Sequence, residues 1–331
     1  MHAFGTMPTG ETVHRLRLEG GGLTAHVLTY GAVLQDLRLE GHDAPLVLGF
    51  PEFAPYLDRS PFFGAIAGRY ANRIADGHLE IDGATHQLAC NFLGKHCLHG
   101  GLDSMGKRLW QVQEHSASHV VLTHELPDGH MGFPGALTAR VTIRVLDGGV
   151  LDFVMEAETD APTLCNLAHH SYFVLDDGRT ISEHLLKVDT GQYLPVDGEL
   201  IPTGEVRDVD GTSFDFRAFA RLKQAHPVDH NFCLSQKRGA IRPVAWLKSQ
   251  RSGVSMECRT TEPGLQIYDG ANINIDLGGL SGEPMGAYAG LAMEPQVWPD
   301  ANHHAHFPQA ILRPDERYRQ HTQFVFLKEN T

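Results

Sequence analysis

The chain has no apolar run near the roughly eighteen residues a membrane-spanning helix requires, so no such helix is expected. Its first ten residues, MHAFGTMPTG, lack a basic region followed by an apolar stretch, which argues against a secretory signal. Cysteine is scarce: Cys90, Cys97, Cys165, Cys233 and Cys258 form an odd set without a C-x-x-C pair. Free thiols in a reducing compartment are therefore expected, and with them a soluble, cytoplasmic protein. Basic residues are in deficit, 27 Lys and Arg against 40 Asp and Glu, a net charge of −13 with histidine neutral. A surface of that sign repels phosphate backbones and anionic lipid, so neither nucleic acid nor membrane is an expected partner.

Long helical patterns are also missing. The nearest case, around Asp215–Leu222, is short and follows a glycine-rich turn. What the chain has instead is glycine (35) and proline (18), spread evenly so that they punctuate many short elements. Between them lie alternating or β-branched segments such as Thr12–Leu18, Leu23–Leu28, Val33–Leu39 and Val254–Arg259. Asp82-Gly83, and Asp147-Gly148-Gly149 between LTARVTIRVL and VLDFVMEAET, carry the glycine turns that join antiparallel strands. The expected fold is all-β, a large antiparallel β-sandwich. With no fixed-period repeat and no break in composition, residues 1–331 are expected to form one domain.

Several functional motifs fail. Gly101–Arg108, GLDSMGKR, resembles the phosphate-cradling loop G-x-x-x-x-G-K-[ST], but Arg108 stands where the metal-binding hydroxyl is needed. The strand-like LWQVQEH that follows offers no helix N-terminus to a phosphate. There is no H-E-x-x-H and no G-x-S-x-G. Among the 21 histidines the densest group is His303, His304 and His306, which reads as solvated or hydrogen-bonded loop residues rather than a metal site.

Four polar clusters fall where a packed sheet would want apolar residues: GRYANRI (Gly68–Ile74), LHGG (Leu98–Gly101), NLAHHSYF (Asn166–Phe173) and LAMEPQVWP (Leu291–Pro299). VDHNF (Val228–Phe232) and EPGLQIYDG (Glu262–Gly270) join them. Singly, each has a structural explanation such as a turn cap or a surface ion pair. Together they supply a carboxylate, imidazoles, an arginine, carboxamides and aromatics, the parts of a sugar site. Strand alternation puts His170 with Tyr172, and Gln266 with Tyr268, on common faces. Trp298 and Phe173 are candidate rings for the C–H face of a sugar.

With these motifs the chain resembles the aldose 1-epimerases, also called galactose mutarotases. The likeness runs from the Thr29-Tyr30-Gly31-Ala32 turn to Thr322–Leu327 and includes LPDGHMGFPG, YLPVDGELIPTGE and GTSFDFR. The resemblance implies a supersandwich fold and interconversion of the α- and β-anomers of free aldoses such as galactose and glucose. It implies Glu294 as catalytic base and His170 as catalytic acid. It also implies Asn72, Arg73, His99, Asp229 and Gln266 as substrate contacts, with no cofactor and no metal.

That division makes chemical sense. Opening a pyranose removes a proton from O1 and gives one to O5, and a carboxylate and an imidazolium do both at once. His169 stands where the family often has asparagine, so two imidazoles stand side by side, His170 being the better match for the acid because it directly precedes Ser171-Tyr172-Phe173. Asp269 stands where many members have threonine, with hydroxyl selectivity or a turn as its possible effect. Two alternatives are weaker: a hexose-6-phosphate mutarotase, against which the acidic balance and the free-sugar motifs argue although Arg59 and Arg69 leave it open, and a sugar-binding module without catalysis, which the presence of both Glu294 and His170 disfavours. The preferred aldose and the oligomeric state are not fixed by the sequence.

Overall fold

A computed structural model of the chain describes residues 1–222 and 226–328. Its centre is a nine-stranded antiparallel sheet in which Leu137–Leu146, Val150–Thr159, Tyr318–Lys328, Val254–Thr260 and Arg242–Ser249 lie side by side. The alternation read in LTARVTIRVL is kept: every second side chain of Leu137–Leu146 is buried. The Asp147-Gly148-Gly149 turn links this strand to Val150–Thr159 in register, Leu146 opposite Val150. Asp82-Gly83 likewise closes the hairpin of His78–Ile81 and Ala84–Gln87.

A six-stranded antiparallel sheet follows the order Tyr172–Phe173, Leu291–Gln296, Gly264–Tyr268, Asp229–Cys233, Gln192–Tyr193 and Arg207–Asp208. One face of this sheet packs against the large sheet: Phe173 lies 4.7 Å from Phe324, ring centre to ring centre, and Ile267 and Met293 join the same core. A four-stranded sheet, His2–Thr6, Thr12–Gly20, Leu23–Leu28 and Leu34–Leu39, covers the other end of that core. The all-β, sandwich-like architecture is the expected one. The described α-helix, Ala54–Asp58, is five residues long and opens with a proline in its first turn. The Asp215–Leu222 stretch holds the short strand Ala220–Arg221 instead of a helix, because its apolar side chains pack singly against the core.

Among the described residues no helix is long and apolar enough to cross a membrane. The five cysteines are unbonded, and all except Cys90 are buried.

Candidate active site

The six-stranded sheet places the site by register. Gln266 lies opposite Glu294, Asn231 opposite Gln266, and Asp229 opposite Tyr268. Side chains directly across an antiparallel pair share a face. Glu294, Gln266, Tyr268 and Asp229 therefore point away from the core, while Met293, Ile267 and Phe232 point into it.

Above that face Ile66–Ala67, just before GRYANRI, pairs antiparallel with NLAHHSYF, Ala67 opposite Ala168 and Ile66 opposite His169, and Tyr70 of GRYANRI bridges Asn166 in parallel. Asn166 ties them to the LAMEPQVWP strand: its Oδ1 accepts from the amide of Val297 at 2.9 Å. Tyr70 does the same through Ala301, whose amide donates to the phenol at 3.2 Å. His170 follows with its backbone fixed at both ends, its amide to Ala65 and its carbonyl from Gly64.

The result is a cavity of about 420 Å³ whose walls include Asn72, Arg73, His99, His170, Asp229 and Glu294. Six of the seven expected residues meet there. The seventh, Gln266, sits one layer behind Asp229, donating from Nε2 to its Oδ1 at 2.6 Å, and reaches an adjoining cleft shared with Asn72 and Arg73. A larger cavity, about 540 Å³, lies elsewhere between Arg38 and Met285 and contains none of these residues. Its buried carboxylate, Asp176, already accepts from the Ser249 hydroxyl and the Gly178 amide, and Glu283 pairs with Arg179. Chemistry therefore singles out the smaller cavity.

Glu294 Oε1 approaches His170 Nε2 to 3.5 Å. Glu294 Oε2 and His170 Nδ1 are buried with no hydrogen-bond partner. Burial drives the Glu294 carboxyl well above the ordinary carboxylate range, the charge of Asp229 adding to the effect and Arg73 opposing it. Burial also pulls the His170 imidazole down to about 4. Both shifts favour uncharged forms, a protonated carboxyl beside a neutral ring.

Arg73 is clamped. Its Nη2 donates to Asp229 Oδ2 at 3.0 Å, Nη1 donates to Asn72 Oδ1 at 3.4 Å, and the guanidinium lies 4.7 Å over the Phe92 ring. His99 Nδ1 accepts the Asn72 amide at 3.1 Å, so the proton of the neutral ring sits on Nε2 and is available to a ligand. Burial holds His99 well below its usual value, helped by His170, Arg73 and Lys107. Gly100, at φ +85°, permits this turn: a Cβ there would come within 2.2 Å of the Gly68 carbonyl oxygen.

Four residues lining the cavity, Phe62, Asn72, His99 and Leu200, hold left-handed backbone at φ of +64°, +67°, +52° and +62°. Such conformations cost about 1 kcal/mol or more each and survive only where surrounding contacts impose them. They turn side chains from loops into the cavity.

His169 takes no part in the cavity. It is 1% exposed and stacks on Phe153 at 4.1 Å, on the core side of the strand, whereas His170 lines the cavity. Two expected aromatic platforms are also corrected. Trp298 is fully buried, donating from Nε1 to the Pro263 carbonyl at 2.8 Å and packed edge-on against Phe307. Phe173 points into the core against Phe324 and Phe326. The rings that do line the cavity are Phe62, Phe92, Tyr172 and Tyr268. Asp269 makes a turn, accepting the amides of Val228 and Ala271.

Sequence reasoning missed Phe62, Phe92, Leu200 and Lys107. All four lie on loops or turns, where no alternation marks which side chain turns inward. Lys107 was present in the GLDSMGKR segment set aside with the nucleotide motif.

The histidine-rich loop is occupied with hydrogen bonds. His303 Nδ1 meets Asp300 Oδ1 at 2.7 Å, and His306 Nε2 meets the Gly204 carbonyl at 2.9 Å. Among the described residues no three histidine, cysteine or carboxylate side chains gather as a metal would require.

Comparison with known proteins gives the family. The family description "Aldose 1-epimerase" matches residues 14–325. Galactose mutarotase of Sus scrofa is 37% identical over 335 residues, covering 98% of this chain and 97% of its own. Aldose 1-epimerase of Escherichia coli K12 is 33% identical over 342 residues, covering 97% of each. The crystal structure of an aldose epimerase homologue from C. elegans superimposes with a TM-score of 0.89 at 30% identity, over 96% of this chain and 100% of that one.

Proposed function

The chain belongs to the aldose 1-epimerase family, and from that membership we propose that Glu294 and His170 are the acid–base pair with which it works. The enzyme is an isomerase that interconverts the α- and β-anomers of free aldoses such as galactose and glucose. The observation that carries the assignment of the pair is their 3.5 Å approach inside a cavity of monosaccharide size.

The reaction needs a base at O1 and an acid at O5. With Glu294 as carboxylate and His170 as imidazolium, Glu294 takes the O1 proton while His170 protonates O5. The C1–O5 bond then breaks to give the open-chain aldehyde. Rotation about C1–C2 presents the other carbonyl face. Closure returns the proton on O5 to His170 and gives the carbonyl oxygen a proton from Glu294.

The electrostatics favour this cycle. Opening leaves a protonated Glu294 and a neutral His170, the forms that burial stabilises. The pair carries one proton before and after opening, so no net charge enters the buried cavity. A carboxylate whose pKa is raised is a stronger base than an exposed one, and an imidazolium whose pKa is lowered is a stronger acid.

Asn72, Arg73, His99 and Asp229 are the proposed hydroxyl contacts, with Gln266 holding Asp229 in place. Asp229 offers acceptors, His99 Nε2 a donor, and Arg73 a planar fork of donors fixed by Asp229 and Phe92. The site draws on segments from Phe62 to Glu294, which supports reading the chain as one domain. Polarimetry on freshly dissolved α-galactose tests the proposal: Glu294→Gln should lower turnover by about two orders of magnitude or more. Unchanged turnover would refute it, as would binding of galactose by the native protein without acceleration.

A further inference from the structure

Lys107 is the charge in the cavity that the reaction does not use. Arg73 is paired with Asp229, and the Glu294–His170 pair has no net charge in the form that burial favours. Burial keeps His99 neutral. Among the described residues no carboxylate comes within ion-pair distance of the Lys107 ammonium, and it makes no hydrogen bond. Its neighbour Arg108 has a carboxylate of its own in Asp103. An unpaired cation thus lines the sugar cavity, and a small adjoining cleft that includes Asp58, in a chain whose net charge is −13.

The position is built, not a dangling surface lysine. Lys107 ends the 3₁₀ turn Met105–Lys107, whose Met105 is buried and accepts the Trp110 Nε1 proton at 3.0 Å. Gly106 lets the turn lie flat, since a Cβ there would come within 3.0 Å of the Ile66 carbonyl and 3.1 Å of the Phe62 ring. The side chain is half-buried, and its ammonium rests 5.6 Å from the centre of Phe62.

The wall around it indicates which part of the sugar it meets. Phe62 lies 4.8 Å from His99 and 6.1 Å from His170, and His99 lies 5.2 Å from His170, between ring centres. Lys107 thus shares the Phe62 ring with both histidines, which puts it on the His99–His170 wall of the cavity. A pyranose with O1 at Glu294 and O5 at His170 has C5 next to O5 on that side, and C5 carries C6.

We propose that Lys107 is a specificity-determining residue that binds the substituent at C6, and that its unpaired ammonium admits hexuronates, aldoses with a carboxylate at C6, as substrates beside neutral hexoses. This rests on the acid–base reading above, because that reading orients the ring. A carboxylate in place of a hydroxymethyl adds little bulk, so it fits wherever the neutral hexose fits. The acidic surface opposes it weakly, since at physiological salt charges more than about 8 Å away are largely screened while a contact ammonium is not. Arg59 and Arg69 do not serve this role. Arg59 is exposed beside Asp58 and Asp276, and Arg69 is buried against the carbonyls of Pro134 and Gly135.

The test is anomer-exchange NMR on three sugars: galactose, galacturonate, and L-arabinose, which has the galactose ring without C6. Native protein should accelerate all three. Lys107→Met should lower kcat/KM for galacturonate by at least about tenfold, galactose less, and arabinose by no more than about twofold. Lys107→Arg should restore galacturonate, and added salt should weaken native turnover of galacturonate while leaving galactose unchanged. Galactose turnover with galacturonate refused would overturn the proposal, as would Lys107→Met impairing arabinose as strongly as galacturonate. Failure on galactose itself, or a Glu294→Gln protein that turns galactose over at the native rate, would instead strike the underlying reading.

Discussion

Glu294 Oε1 and His170 Nε2 lie 3.5 Å apart in a buried cavity, close enough for the charge on one to act on the other. Glu294→Gln and His170→Asn should each lower kcat by about two orders of magnitude or more, the usual cost of losing an acid–base partner. Glu294→Gln should not lower thermal stability, since it replaces a buried carboxyl lacking a partner on Oε2 with a neutral amide of the same shape. Polarimetry and a melting curve on the same preparations check both statements.

The number of protons on the pair also sets the pH profile. Activity requires one proton on the pair. As pH falls through about 4 the pair gains a second proton and loses its base. As pH rises through the elevated range of Glu294, the last proton leaves and the acid is gone. kcat/KM should follow a broad bell with its acid limb near the displaced His170 value. A single step centred on 6.5, the ordinary imidazole value, would contradict it.

His169 predicts a different pH effect, on folding. Burial, with its neighbour His170, lowers its imidazole from the usual 6.5 to about 3. The unfolded chain therefore binds the extra proton first. The stability this neutral ring contributes is complete above 6.5 and is lost as pH falls toward 3. His169→Leu removes two buried, unpartnered ring nitrogens while keeping an apolar contact with Phe153. It should stabilise by about 1 kcal/mol or more, reduce acid sensitivity, and leave kcat within a few-fold. Denaturant titrations at pH 5 and 8 read the first two effects. A loss of activity like that of His170→Asn would reverse the assignment of the two histidines.

Trp298 and Phe62 separate packing from recognition. Trp298→Phe should cost about 1–3 kcal/mol, through a small void and an orphaned Pro263 carbonyl, with KM unchanged. Phe62→Ala should raise KM for galactose severalfold, because this ring forms a cavity wall beside His99 and His170. The reverse pattern would restore Trp298 as the sugar platform.

Removing Asp229 tests the clamp on Arg73. Asp229→Ala leaves a nearly buried guanidinium without its counter-charge and frees Gln266. A stability loss of about 1–3 kcal/mol is expected at this partly open position, together with a KM raised about tenfold or more. Asp229→Asn, which keeps the shape and a hydrogen-bond acceptor, should recover most of the stability.

Strand positions were legible because burial imposes a period of two on the sequence. LTARVTIRVL and VLDFVMEAET became Leu137–Leu146 and Val150–Thr159 without adjustment. The His170–Tyr172 and Gln266–Tyr268 pairings were legible for the same reason. Alternation, however, says which residues share a face without saying which face is solvent, core or cavity. Trp298 and Phe173 were misread on that account. Phe62, Phe92, Lys107 and Leu200 reach the site from loops through left-handed or irregular backbone, which leaves no period to detect.

The opposition of Gln266 and Glu294 carries one more implication, for tolerance to changes in chain length. Inserting or deleting a single residue between Leu291 and Glu294 would rotate the acidic side chain into the oily interior and bring Met293 or Pro295 outward. The Asp82-Gly83 bend, solvent-facing and remote from the cavity, can absorb the same edit by lengthening. Catalysis thus reports whether two strands have zipped together in their proper alignment.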